Sequence, residues 1–140
     1  MTRSDEYYLS FKELVRLHKR SFKAQQFGHF EVCGLLLMDR TRQLSFLFME
    51  NQGSEPYTYS LEISAIEVVS EQVRRDGKAV IGSFHSHPIS EAEPGSRDLE
   101  CGFYLGRELI YDVCGREPVL WRFENRTLIR EKVRCGASQV

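Results

Sequence analysis

The chain has 140 residues, the size of one ordinary domain and too few for two well-cored ones. Hydrophobic residues make up 41% and charged ones 28%, a globular composition that excludes a disordered or collagen-like chain. Nineteen Lys+Arg against twenty Asp+Glu give a formal charge of −1, which leaves no basic excess for general binding of nucleic acid or an anionic membrane.

The start, Met1-Thr2-Arg3-Ser4-Asp5-Glu6, is acidic and lacks an apolar core, which argues against a secretory signal. The longest nearly apolar run, residues 32–38, falls far short of a bilayer span. A cytoplasmic protein is therefore expected. Cys33, Cys101, Cys114 and Cys135 are widely spaced, with no Cys-x-x-Cys pair, so reduced thiols are expected. Cys33 and Cys114 lie in apolar stretches and read as small core residues.

The first helical pattern opens near Ser10, with Glu13 three residues on as a possible capping box. Leu14, Val15, His18 and Phe22 fall on one face, and Lys12, Arg16, Lys19, Arg20 and Lys23 cover the rest as a solvated surface. His18 on that stripe reads as a packed histidine rather than a ligand. Residues 32–38 form a continuous apolar run, as expected of a strand buried on both sides. A turn at 39–42 leads into a second strand over 43–50, and 51–56 is a loop by composition. A second helix is expected from Ser64, capped through Glu67, with Ile66, Val69 and Val73 along one side and Asp76-Gly77 as its end. Residues 79–84 read as another buried strand that runs into His85-Ser86-His87-Pro88. A short helix near Ser96 follows Pro94-Gly95, and strands over 108–114 and 118–133 complete the pattern, with turns at Gly115-Arg116 and Asn125-Arg126. Helices interspersed with strands imply an α/β fold, a mixed β-sheet flanked by helices. No repeat or linker divides the chain. Residues 1–135 read as one domain and 136–140 as a loose end.

The informative stretch is His85-Ser86-His87-Pro88 with Asp98 ten residues beyond the proline. Residues two apart on an extended segment project to the same side, so His85 and His87 can aim two imidazoles at one point. Pro88 ends the ladder, and the loop after it can return Asp98 to that point. Two His and one Asp make a three-ligand set suited to zinc, with the fourth tetrahedral position left for water. Amide hydrolysis also needs a carboxylate to move protons. Glu31, just before the apolar run at Val32, is the candidate if its strand neighbours that of the histidines. Taken singly, each residue has a plainer reading: a surface His-x-His, a first-turn acid at a helix start, a solvated strand end. Their conjunction carries the argument.

Glu31-Val32-Cys33-Gly34-Leu35-Leu36, then His85-Ser86-His87-Pro88 and Asp98, resembles the JAMM (MPN+) metalloprotease family, in its short prokaryotic form. The resemblance spans nearly the whole chain and includes Asn51 and the aromatic stretch Tyr57–Leu61. It implies the MPN fold, a mixed sheet with helices related to cytidine deaminases. It implies that His85, His87 and Asp98 hold Zn2+ and that Glu31 holds and deprotonates the water. The implied reaction is hydrolysis of the amide or isopeptide bond at the C-terminus of a ubiquitin-like or sulfur-carrier protein ending in Gly-Gly. The partner's tail would bind as an added strand in a groove that selects glycine. The family's oxyanion-stabilising serine belongs three residues before the aspartate, where this chain has Gly95; Ser96 is one residue later. That departure leaves open a second reading, a catalytically weak module that recognises a ubiquitin-like tail or another protein. A nucleic-acid role is disfavoured by the charge balance, and base deamination by the missing His-x-Glu and Pro-Cys-x-x-Cys signature.

Overall fold

The computed structural model describes residues 6–26, 30–53, 59–88, 91–95 and 103–136. The elements in chain order are β1 (Tyr7–Leu9), α1 (Phe11–Gln26), β2 (Cys33–Met38), β3 (Gln43–Met49), α2 (Ile63–Arg75), β4 (Ala79–His87), β5 (Arg107–Asp112), β6 (Glu117–Glu124), β7 (Thr127–Glu131) and β8 (Val133–Cys135). All eight strands lie in one sheet, ordered β7-β6-β5-β4-β2-β3-β1-β8. The pairings of β4 with β5 and of β1 with β3 and β8 are parallel, and the others are antiparallel. The sheet is mixed, as the sequence implies, and among the described residues two α-helices pack on it.

β7 and β8 stand at opposite ends of the strand order, yet Lys132 alone separates them in the chain. The sheet must therefore curl until its ends meet. At the seam the Tyr7 amide donates to the Lys132 carbonyl at 3.0 Å. The Tyr7 hydroxyl donates to Glu131 at 3.4 Å across the same junction. Closure of this kind removes the open edges that invite unwanted strand pairing.

Curling divides the core in two. Tyr7, Leu9, Leu36, Leu44, Phe46, Phe84, Leu109, Tyr111 and Leu120 form one cluster with Leu17 of α1. Residues from strands spread across the whole order meet only on the concave face, so α1 lies there. Leu35 and Leu37 pack with Ile66 and Val73 of α2 on the convex face. β2 is thus covered on both sides, which is why its sequence is continuously apolar rather than alternating. Gly34 in β2 makes this packing possible: a Cβ there would lie 2.0 Å from the Leu47 carbonyl oxygen and 2.7 Å from the Phe84 ring.

Several expectations need correction. β1 is not evident in the sequence, because three residues carry too little pattern; it exists by pairing with two partners at once. The buried face of α1 runs through Leu17 and Ser21, and Phe22 at its flank is 48% exposed. The α2 cap is Glu62, whose carboxylate accepts from the Ser64 amide, so the helix opens at Ile63 and not at Ser64 with Glu67. Tyr59–Leu61 is irregular rather than a strand. Cys114 is exposed in the turn after β5, where its thiol donates to the Pro88 carbonyl, so it is not a core residue. The helix expected near Ser96, and Cys101, lie outside the described residues.

His18 packs against Phe22, and the Tyr111 hydroxyl meets its Nδ1 at 2.6 Å. Burial, and secondarily the Arg116 guanidinium, holds the His18 imidazole below its usual range. A histidine depressed in the folded state favours folding above its ordinary value and loses that contribution as pH falls through its folded value. The urea midpoint of the wild type is expected to fall more between pH 7.5 and 5 than that of His18→Gln. A second expectation concerns packing: Gly34→Ala should lose about 1–3 kcal/mol or more, read as a lower urea midpoint, because the clash is with backbone.

Candidate active site

The site is built at the C-terminal end of β4 by strand register. β2 runs antiparallel to β4 with Cys33 opposite His85. Carried two residues further, that register sets Glu31 opposite His87. Beyond the paired strand the Ser86 amide donates to the Val32 carbonyl at 2.9 Å, and the Val32 amide donates to Ser86 Oγ, also at 2.9 Å. The middle residue of His-Ser-His is therefore a clamp that fixes the chain carrying Glu31. Asn51 holds it from the other side, donating from Nδ2 to the Glu31 carbonyl at 2.9 Å. Its Oδ1 accepts from the Gly53 and Ser60 amides.

Glu31, His85 and His87 are all buried, and one ligand atom from each lies within 4.8 Å of the other two. The two imidazole Nε2 atoms are 3.1 Å apart. His85 Nδ1 lies 2.5 Å from a Glu108 carboxylate oxygen. His87 Nδ1 lies 2.7 Å from the Glu91 carbonyl oxygen. Both partners accept, so each ring donates from Nδ1 and points its Nε2 toward the other ring. Two nitrogen ligands on one tetrahedral zinc stand about 3.3 Å apart, from Zn–N distances of about 2.0–2.1 Å. The separation, the ring orientations and the donor set of Glu31, His85 and His87 together fit a zinc ion.

The parallel pairing of β4 with β5 (Ser83 opposite Glu108, His85 opposite Ile110) forces a crossover between His87 and Arg107. Its described parts lie on the face of the histidines: Ala92 packs on Ile110 and Val119, and Trp121 Nε1 donates to the Ala92 carbonyl at 2.8 Å. Gly95 is exposed. Asp98 and Ser96 lie outside the described residues, so among those described the expected set comes together as Glu31, His85 and His87.

Two residues here were missed by the sequence reading. Glu108 is fully buried and accepts from the Tyr59 hydroxyl at 2.7 Å, the Phe103 amide at 2.9 Å and the Ser83 hydroxyl, besides meeting His85. Tyr59 stacks on the His85 ring, with centroids 4.4 Å apart and planes 19° from parallel. The available signal was a carboxylate at the head of an apolar strand, where it pairs with the strand of the histidines. Its distance along the chain hid it.

A curled mixed sheet with a helix on each face, and a Glu-His-His cluster at the end of a central strand, defines an α/β protein with a candidate metal site. The profile of prokaryotic homologs of the JAB domain matches residues 14–126, and the chain belongs to that family. A desampylase of Pyrococcus furiosus is 30% identical over 95 residues, which cover 68% of this chain and 59% of that protein. Among solved structures, a protein from Desulfitobacterium hafniense matches with a TM-score of 0.71 at 19% identity, covering 92% of each chain. A JAB1/MPN domain protein from Archaeoglobus fulgidus matches with a TM-score of 0.50 at 16% identity, covering 94% of this chain and 100% of the other. The two structures share the fold.

Cys33 faces this cluster. Burial, then the charges of Glu108 and Glu31, push its thiol up to about 12. Because the thiolate is the reactive form, iodoacetamide at pH 8 should label the exposed Cys114 and leave Cys33 unmodified until the protein is unfolded, as read by peptide mass spectrometry.

Proposed function

We propose that this chain is a zinc-dependent hydrolase that cuts the amide or isopeptide bond at the C-terminus of a ubiquitin-like or sulfur-carrier protein ending in Gly-Gly. The observation that carries this reading is the buried Glu31 carboxylate beside two imidazoles whose Nε2 atoms converge. Membership of the JAB family and the likeness to a desampylase support the same reaction class.

In this reading His85, His87 and Asp98 hold the ion. Bound there, zinc would supply Lewis acidity that acidifies water and polarises the scissile carbonyl. Glu31 accepts the proton of the attacking water and passes it to the departing amine, the two-way transfer that a positioned carboxylate performs. Its burial keeps competing solvent away and strengthens its interaction with developing charge. The oxyanion is met by the Ser96 hydroxyl or by a backbone amide near Gly95. One such donor is worth on the order of a hundredfold or more in rate. The substrate's extended tail is held through its backbone, which favours glycine where the groove is narrow.

Gly95, in the place of the family's serine, favours a second reading, a module that recognises such a tail with little turnover. One assay separates the two. Linear fusions of ubiquitin-like proteins are incubated with the protein, with and without a chelator, while bound zinc is measured. The wild type should bind zinc and release the carrier, and the chelator should stop release. Glu31→Gln should keep zinc and lose cleavage by about a hundredfold or more. His87→Ala should lose the metal. Full activity in Glu31→Gln would overturn the assigned role, and zinc bound without cleavage of any carrier would favour the binding module.

A further inference from the structure

Glu108 is fully buried, and both of its carboxylate oxygens are engaged. One oxygen accepts from the Ser83 hydroxyl and the Phe103 amide; the other accepts from the Tyr59 hydroxyl and meets His85 Nδ1. Four donors from three separate stretches of chain converge on a carboxylate with no solvent exposure. Tyr59 adds a second restraint by stacking on the ring that Glu108 holds. Hydroxyls can turn to donate or accept. A backbone amide cannot, so Phe103 fixes one Glu108 oxygen as an acceptor.

We infer that Glu108 is a positioning residue for metal binding: it fixes the His85 ring and its Nδ1–H tautomer, so that Nε2 is presented to the ion. The inference rests on the metal-hydrolase reading above and deepens it. Outer partners of metal-bound histidines typically act in this way. The geometry also dictates what Glu108→Gln does. The carboxamide NH2 cannot face the Phe103 N–H, so it must face Tyr59 and His85. His85 then accepts at Nδ1 and carries its proton on Nε2, the nitrogen that should bind the metal. The variant is nearly isosteric, but it selects the wrong tautomer.

The test uses Co2+ as a spectroscopic probe and 15N spectra of the histidine rings. In the metal-free wild type at pH 8, His85 should show the Nδ1–H tautomer. In Glu108→Gln it should show Nε2–H, and Co2+ affinity should fall roughly 10–100-fold, with weaker visible bands at equal loading. Wild type with Nε2–H at His85 overturns the inference, and this measurement stands even if the variant does not fold. A variant with a lower melting temperature but unchanged Co2+ affinity overturns it as well, since Glu108 would then serve folding alone. Wild-type protein that binds neither Co2+ nor zinc overturns the metal-hydrolase reading together with the inference.

Discussion

The register of β2 against β4 is the constraint on which the rest of the site depends. Side chains alternate between faces along a strand, so a slip of one residue would send both histidines into the concave core. Several features oppose that slip. Gly34 lies so close to the Leu47 carbonyl and the Phe84 ring that no other residue fits at that level of the sheet. The register shifts between Leu36 and Leu37, where Ile81 is the extra residue of β4, and a bulge of this kind pins the pairing on either side. At the far end, two hydrogen bonds between Val32 and Ser86 carry the pairing past the last ladder residue. A glutamate that would otherwise fray at a strand start is thereby held under the histidines.

Holding polar groups there carries an energetic cost. Glu31, Ser83, His85, Ser86, His87 and Glu108 are all buried on or beside a strand whose other neighbours are apolar. A buried polar atom without a partner typically costs about 1–3 kcal/mol, more when charged. The hydrogen bonds of Glu108, the Glu91 carbonyl on His87 and the paired Val32–Ser86 contacts offset that cost by satisfying one another. A network of this kind tolerates little rearrangement. Rigidity of the two rings is therefore a by-product of burying them, and a metal site benefits from ligands already in place.

Much of this was legible in the sequence, for reasons that differ between residues. The apolar run at β2 and the helical spacing of Ile66, Val69 and Val73 announced themselves, because burial on two faces or on one leaves distinct periodic marks. His85 and His87 were legible because their convergence needs only the two-residue period of one strand. Glu31 was legible only through a neighbouring strand that happens to be reachable by motif. Glu108 and Tyr59 were not, since their roles arise from parallel pairing and from a loop folded over the ring, and neither leaves a local pattern. Cys114 was misread because an apolar strand was extended two residues past Asp112, where the chain already turns. β1 was missed for a related reason: its three residues are strand only because β3 and β8 flank them.

The crossover ties these points together. Parallel strands cannot be joined by a tight turn, so the chain leaving His87 must travel back across a face of the sheet before it can enter β5. Its described ends are fastened to the two rings themselves. Near its start the Glu91 carbonyl accepts from His87 Nδ1, and near its end the Phe103 amide donates to the carboxylate that meets His85 Nδ1. Phe103 and Leu105 both take left-handed backbone, with φ of 61° and 57°. The sequence between the anchors contains both Ser96 and Asp98. A substitution in this segment can therefore disturb the histidines through two hydrogen bonds without touching either ring. Ring orientation in this fold belongs as much to the crossover as to the strand that bears the histidines.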